Sequence, residues 1–219
     1  MDDRVRIRLE GNEDELAADV VILALGIVGN VENLGLEALG VTLQRGHVVT
    51  NAYGATNLPG LYAIGDVAGP PWLAHKASHE GVHCVEHIAG VAKPARDAAV
   101  PRCVYAEPQV AAVGLTEAQA RAASHDIRIG RFLFRNNGKA IASGDVDGFV
   151  KTIFDAQSDR LLGAHLIGPE VTELVQGFVI ALTLGATGAD LMDCIFPHPT
   201  PSEVMHEATL AAHDVPLHM

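Results

Sequence analysis

Gly148-Phe149-Val150-Lys151-Thr152-Ile153-Phe154, a polar turn over Asp155 to Asp159, then Leu161-Leu162-Gly163-Ala164-His165-Leu166-Ile167: two short apolar runs flank a loop of hairpin length. Outward from this hairpin, Val104-Tyr105, Val110 to Val113 and Arg128 to Phe134 read as further strands, with Asn137-Gly138 as a turn. Apolar spacing predicts helices at about 116–124, 170–184 and 188–194, and another opening after Thr200. Such a pattern predicts an α+β domain, a mostly antiparallel sheet with helices packed on it. Leu174, Val175, Phe178, Ile180 and Leu182 give its helices an apolar surface that a second copy could cover.

Lys93-Pro94 to Pro101 is polar, is flanked by proline and marks the best domain boundary. The chain is different in style before it. Arg4 to Leu9 alternate, and Gly11-Asn12 follows as a turn, so a strand and hairpin are expected. The run from Asp19 to Leu25, ending at Gly26, reads as a strand buried on both faces, as in an α/β sheet. A hairpin feeding a buried strand suggests a start in mid-domain, with partner strands and any phosphate loop upstream. No GxGxxG occurs, so no complete dinucleotide-binding unit is expected. His47 to Thr50 and Leu61 to Ile64 read as short strands, the second ending at Gly65-Asp66. Ligands of open α/β sheets sit beyond strand C-termini, where glycine admits close approach and a carboxylate can accept a sugar hydroxyl. A plain Gly-Asp turn accounts for those two residues equally well. Residues 76–90 read as a helix with Ala77, Val82, Val85 and Ile88 inward.

The segment Phe196-Pro197-His198-Pro199-Thr200-Pro201-Ser202-Glu203 is the candidate for chemistry. Its prolines stop the preceding helix and stiffen the turn. Thr200 as N-cap, Pro201 at the first helical position and Glu203 at the third predict a new helix. His198 then stands at a helix start, a placement that disfavours the imidazolium and leaves the ring available as a base. A carboxylate five residues on could bond one ring nitrogen and leave the other to work. A capping box beside an exposed loop histidine is the competing reading.

Net charge is −12, which argues against a nucleic-acid or anionic-membrane partner. No apolar run reaches membrane-spanning length, and MDDRVRIRLE is no signal peptide, so a cytoplasmic or matrix-like reducing compartment is expected. Cys84, Cys103 and Cys194 are far apart and read as thiols, not as a redox pair or zinc knuckle. His79, His83 and His87 share one helix face; they are read as its wet side, and no metal site is assigned.

Leu61-Tyr62-Ala63-Ile64-Gly65-Asp66-Val67, followed by Leu73-Ala74-His75-Lys76-Ala77 and Glu80-Gly81, resembles the second flavin-binding segment of the pyridine nucleotide–disulfide oxidoreductases. Leu162-Gly163-Ala164-His165-Leu166-Ile167-Gly168-Pro169 and His198-Pro199-Thr200-Pro201-Ser202-Glu203 resemble that family's dimerisation domain. Two of these segments are most similar to its dihydrolipoamide dehydrogenase branch. The resemblance implies residues 1–50 as the tail of an NAD domain, 51–97 as the tail of an FAD domain and 98–219 as the interface domain. It implies that Asp66, after Gly65, holds the ribitol of FAD and that Leu73, Ala74 and His75 face the flavin. It also implies that His198 takes a thiol proton in the opposite subunit of a homodimer, oriented by Glu203, with a cis His198-Pro199 bond. FAD and NAD belong to the full-length enzyme, whose further partner is the lipoyl domain of a 2-oxo acid dehydrogenase complex. The FAD and NAD fingerprints and the redox cysteine pair are not in this sequence, so a fragment that is inactive alone and binds no cofactor is expected.

Two segments depart from the family. Ile27-Val28-Gly29-Asn30 stands where Arg-x-Pro-Asn is usual, which removes a cation on the nucleotide side. Phe196-Pro197 stands where many members have His-Ala, so a second histidine is lost. Two other readings stay open: a dimerisation module without catalysis, and a fragment of a glutathione-type disulfide reductase.

Overall fold

A computed structural model describes residues 4–11, 14–92 and 99–218. The chain divides into two compact units, residues 1–93 and 94–219. The boundary expected between residues 97 and 98 lies outside the described residues, as does most of the proline-flanked linker.

In the first unit, β1 (Val5–Arg8) pairs antiparallel with β2 (Glu15–Ala18). The expected strand pairing is there, while Asn12 of the expected turn lies outside the described residues. The run from Asp19 to Leu25 is not the buried strand its composition predicts. Ile22 is 85% and Leu25 95% exposed, and no described strand lies beside the run. An apolar run becomes a strand only where neighbours complete its ladder and cover its faces, and none of the described strands does so here. Next come β3 (Leu43–Gln44) and β4 (His47–Val48), an antiparallel hairpin. Gly29 donates to the Gly46 carbonyl at its turn, 3.1 Å away. A Cβ on Gly29 would come within 2.7 Å of that oxygen, so the residue that departs from the family pattern allows this close approach. Val31, Val41 and Val48 form a small core with Leu36, Leu58 and Leu61 around it.

Leu61 to Ile64 are also not a strand. The segment makes one bridge, Tyr62 to Ala55, inside a tight loop. It runs into a 3₁₀ turn at Gly65–Ala68 and then α1 (Ala74–Ile88). The inward side of α1 differs from the expected one. Cys84 is buried, whereas Val82, Val85 and Ile88 are more than half exposed. The helix turns its small residues inward: Ala77 lies against Gly65, and Gly81 against Ile64.

The second unit holds a five-stranded sheet of β5 (Arg102–Val104), β6 (Gln109–Gly114), β7 (Ile127–Leu133), β8 (Phe149–Asp155) and β9 (Leu161–Gly168). The order is β5-β6-β9-β8-β7, antiparallel throughout. The α+β expectation holds. β8 and β9 form the central hairpin, with a register shift at Ile153/Phe154. The helices are α2 (Glu117–Ala122), α3 (Gly138–Ser143), α4 (Val171–Leu184), α5 (Gly188–Asp193) and α6 (Glu203–Ala212). Val171, Val175, Phe178 and Ala181 recur at helical spacing on the buried side of α4. They pack with Val204 and Ala208 of α6 on Val150, Phe154, Ala164 and Leu166 of the sheet. Val175 and Phe178 therefore belong to the unit's own core, while Ile180 and Leu184 remain exposed.

α3 corrects the reading of Asn137-Gly138 as a turn. The Asn137 side chain accepts from Ala140 N at 2.9 Å and starts a helix instead. At α2 and α5, Thr116 with Gln119 and Thr187 with Asp190 form complete capping boxes.

Candidate functional site

His198 follows α5 across an extended segment, and its peptide bond to Pro199 is cis. Its Nδ1 lies 2.9 Å from Glu203 Oε1. The other carboxylate oxygen of Glu203 accepts from Thr200 N–H at 3.0 Å. Partial burial pushes the Glu203 carboxyl up, but the Thr200 N–H and the His198 ring together outweigh it and hold it below the usual range. An ionised carboxylate only accepts hydrogen bonds. Nδ1 must therefore be the donor, and in the neutral ring Nε2 keeps a free lone pair. The His198 side chain is 76% exposed while that of Glu203 is 25% exposed, so the pair is anchored at its acid end and presented at its ring end.

The helix start differs in one respect from the predicted capping box. α6 begins at Glu203, with Ser202 at the cap. Only the acid half of the box forms. The Thr200 hydroxyl donates back to Pro197 O at 2.7 Å and so tightens the turn around His198.

Asn137 was missed by sequence reasoning. Its amide donates to Thr200 O at 3.1 Å while its oxygen caps α3, so one buried side chain ties two segments at the site. Asn-Gly is a hairpin signal and Asn is also a helix cap; only the packing decides between them. Glu207 was missed as well. It lies one turn beyond Glu203 with its side chain 6% exposed, and accepts from Leu217 N, His218 N and His218 Nδ1. An acid on the apolar side of a helix signals such a buried partner. Where many family members have His-Ala, Phe196 stacks on His206 at 5.1 Å, and the His206 ring reaches Met192 O at 3.1 Å.

The other predicted residues gather in the first unit. Gly65 takes φ +71°, and a Cβ there would stand 3.0 Å from that of Ala77, so its lack of a side chain is required by α1. Its N–H donates to Glu80 Oε2 at 2.7 Å. Lys76 bridges Glu80 at 2.7 Å and Gly69 O at 3.1 Å, which binds the 3₁₀ turn to the helix. Asp66 is exposed beside them. Leu73 caps α1, and Ala74 and His75 form its exposed first turn. Elsewhere on α1 the His87 ring stacks on Tyr53 at 4.5 Å.

An antiparallel sheet flanked by helices, with a histidine–carboxylate pair on a proline-bounded turn, defines a class. The chain belongs to the pyridine nucleotide-disulphide oxidoreductase family. That family's dimerisation-domain model matches residues 100–209, and its second model matches residues 1–81. Among curated relatives, the dihydrolipoyl dehydrogenase of Rhizobium etli is 59% identical over 206 residues, which is 93% of this chain and 43% of that enzyme. The dihydrolipoyl dehydrogenase of Zymomonas mobilis is 55% identical over 90% of this chain and 43% of that enzyme. Among solved structures, LpdA from Mycobacterium tuberculosis superposes with a TM-score of 0.82 at 28% identity, over 90% of this chain and 43% of that one. The HOCl-induced flavoprotein disulfide reductase RclA of Escherichia coli gives 0.85 at 25% identity, over 94% and 48%. The chain thus spans about 43% of the length of the curated relatives it matches.

Proposed function

We propose that this chain is the C-terminal part of a flavin-dependent dihydrolipoamide dehydrogenase, which oxidises dihydrolipoamide to lipoamide and reduces NAD through FAD and a redox disulfide. The observation that carries this reading is the His198–Glu203 pair, set as a base and its orienter. The relatives at 59% and 55% identity support the branch. His198 Nε2 accepts the proton of a substrate thiol, which becomes a nucleophile only as thiolate. Glu203 fixes the tautomer and steadies the charge the ring acquires.

Residues 1–50 and 51–97 are assigned to the tails of the NAD and FAD domains, and 98–219 to the interface domain. In this reading the interface domain brings two protomers together, and the His198 of each serves sulfur chemistry in its partner. The full-length enzyme uses FAD and NAD and meets a lipoyl domain of a 2-oxo acid dehydrogenase complex in the cytoplasm or mitochondrial matrix. Bound FAD supplies the two-electron exchange between thiol and nicotinamide. The exposed Asp66 carboxylate is of the right chemistry for it. Asp66 would accept a ribitol hydroxyl, Gly65 would hold the turn that presents it, and Leu73 to His75 would face the flavin. Alone, the chain is assigned no cofactor and no turnover. Among the described residues no helix is long and apolar enough to cross a membrane.

A chimera tests the proposal: this chain joined to the N-terminal portion of the Rhizobium etli enzyme. It should bind FAD and reduce NAD with dihydrolipoamide rather than glutathione. His198→Gln should lower kcat by about 10²-fold or more with flavin retained. A flavin-loaded chimera inactive with dihydrolipoamide, or a His198→Gln variant of unchanged turnover, refutes it.

A further inference from the structure

α1 carries His79 and His83 four residues apart, one helical turn, on the same face. Their ring centroids are 4.3 Å apart and the planes tilt at 46°. Two imidazoles that share a metal ion stand at a defined separation. A metal–nitrogen bond of about 2.0–2.1 Å puts a ring centroid about 3.2 Å from the metal. Two cis ligands at a right angle then have centroids about 4.5 Å apart, and two tetrahedral ligands about 5.2 Å. The observed centroid separation lies close to the right-angled value.

The surroundings agree. The cation of α1 among its charged residues, Lys76, is engaged with Glu80 and Gly69 O. Glu86 lies three residues beyond His83 and adds negative charge on the next turn. Four other histidines, at positions 125, 198, 213 and 218, each have a ring nitrogen committed to a carboxylate. At His213 both ring nitrogens are engaged, by Thr209 O and Asp159 Oδ1; at 125, 198 and 218 the second nitrogen could bind a metal only as a single imidazole, without the chelate that a paired ring adds. Among the described residues, no group of three or more His, Cys, Asp or Glu side chains is placed to hold a metal ion.

We propose that His79 and His83 form a two-imidazole chelate for a late transition-metal dication of tetragonal preference, Cu(II) above all, with water in the remaining positions. Binding needs both rings neutral and leaves the rest of the chain in place. It also staples one turn of α1.

The test uses the full chain and Cu(II) as the probe. At substoichiometric copper, paramagnetic broadening should reach the ring resonances of His79 and His83 first. By calorimetry, His79→Gln and His83→Gln should each weaken the tightest copper site by about tenfold or more, whereas His87→Gln should leave it unchanged. Circular dichroism of each variant checks that α1 is intact. Unchanged affinity in His79→Gln and His83→Gln, or earliest broadening at the rings of residues 125, 198, 213 or 218, overturns the proposal.

Discussion

Gly130 lies in the middle of β7, opposite Thr152, where α6 crosses the sheet. A Cβ at this position would stand 1.8 Å from the Ala208 carbonyl oxygen and 2.5 Å from Ala212 N. Both atoms are helix backbone, so no side-chain rotation relieves the clash. Restoring an ordinary contact of 3.4 Å requires α6 to retreat by about 1.6 Å. That retreat strains the packing of Val204 and Ala208 and stretches the buried hydrogen bond from Thr152 Oγ1 to Ala208 O, now 2.9 Å. Overpacking costs about 1–3 kcal/mol and the hydrogen bond about 1 more, so Gly130→Ala should lose about 3 kcal/mol. For a unit of this size the midpoint of thermal unfolding should fall by about 10 °C. Gly138→Ala is the matched control. It opens α3, where nothing lies within 4 Å of an added Cβ, and should gain about 0.5–1 kcal/mol. Urea and thermal unfolding followed by circular dichroism measure both. A Gly130→Ala variant within about 0.5 kcal/mol of the parent would refute the packing argument.

Thr152→Val keeps the shape of a fully buried side chain and deletes its bond to Ala208 O; it should cost about 1 kcal/mol, and a more stable variant would contradict this. Asp155 is held well below the usual carboxylate range by Ser158 N–H and the His125 ring. At Asp159 burial pushes upward, but the His213 ring and Ala189 N–H outweigh it and the carboxyl is lowered too. Groups lowered on folding stabilise above their unfolded value, about pH 4, and lose that contribution as pH falls through the folded value. The double variant Asp155→Asn, Asp159→Asn should therefore show a flatter decline of urea midpoint between about pH 5 and pH 2 than the parent, and parallel declines would count against it.

The second unit was legible because its evidence is local. Turn residues separate its strands, and the buried face of α4 repeats at helical spacing from Val171 to Ala181. The first unit was legible only in part: its opening strand pair and α1 stand where they were expected, but its apolar runs signal a burial that the described strands do not provide. Asp19 to Leu25 has the composition of a central strand, yet composition reports what a segment can bury and not what lies beside it. The same limit explains α1. Val82, Val85 and Ile88 are the obvious inward residues by hydropathy, but Gly65 and Ile64 leave room only for Ala77 and Gly81. Small residues were chosen over large ones by closeness, which no periodicity encodes.

The candidate site follows the same division. Thr200 and Glu203 could be read as a capping box or as part of a base-and-orienter pair, and the two readings seemed to compete. In the structure, one carboxylate makes both contacts. Oε2 takes the Thr200 N–H and Oε1 takes the His198 ring. The Thr200 hydroxyl is turned away to Pro197 O, so Glu203 alone joins the turn to the helix. The ring is thereby referenced to the start of α6, and α6 to the sheet through Ala208 and Gly130. A carboxylate divided in this way gives the imidazole a defined direction without burying it. The proposed role of His198 as a base requires such a direction, held with one tautomer.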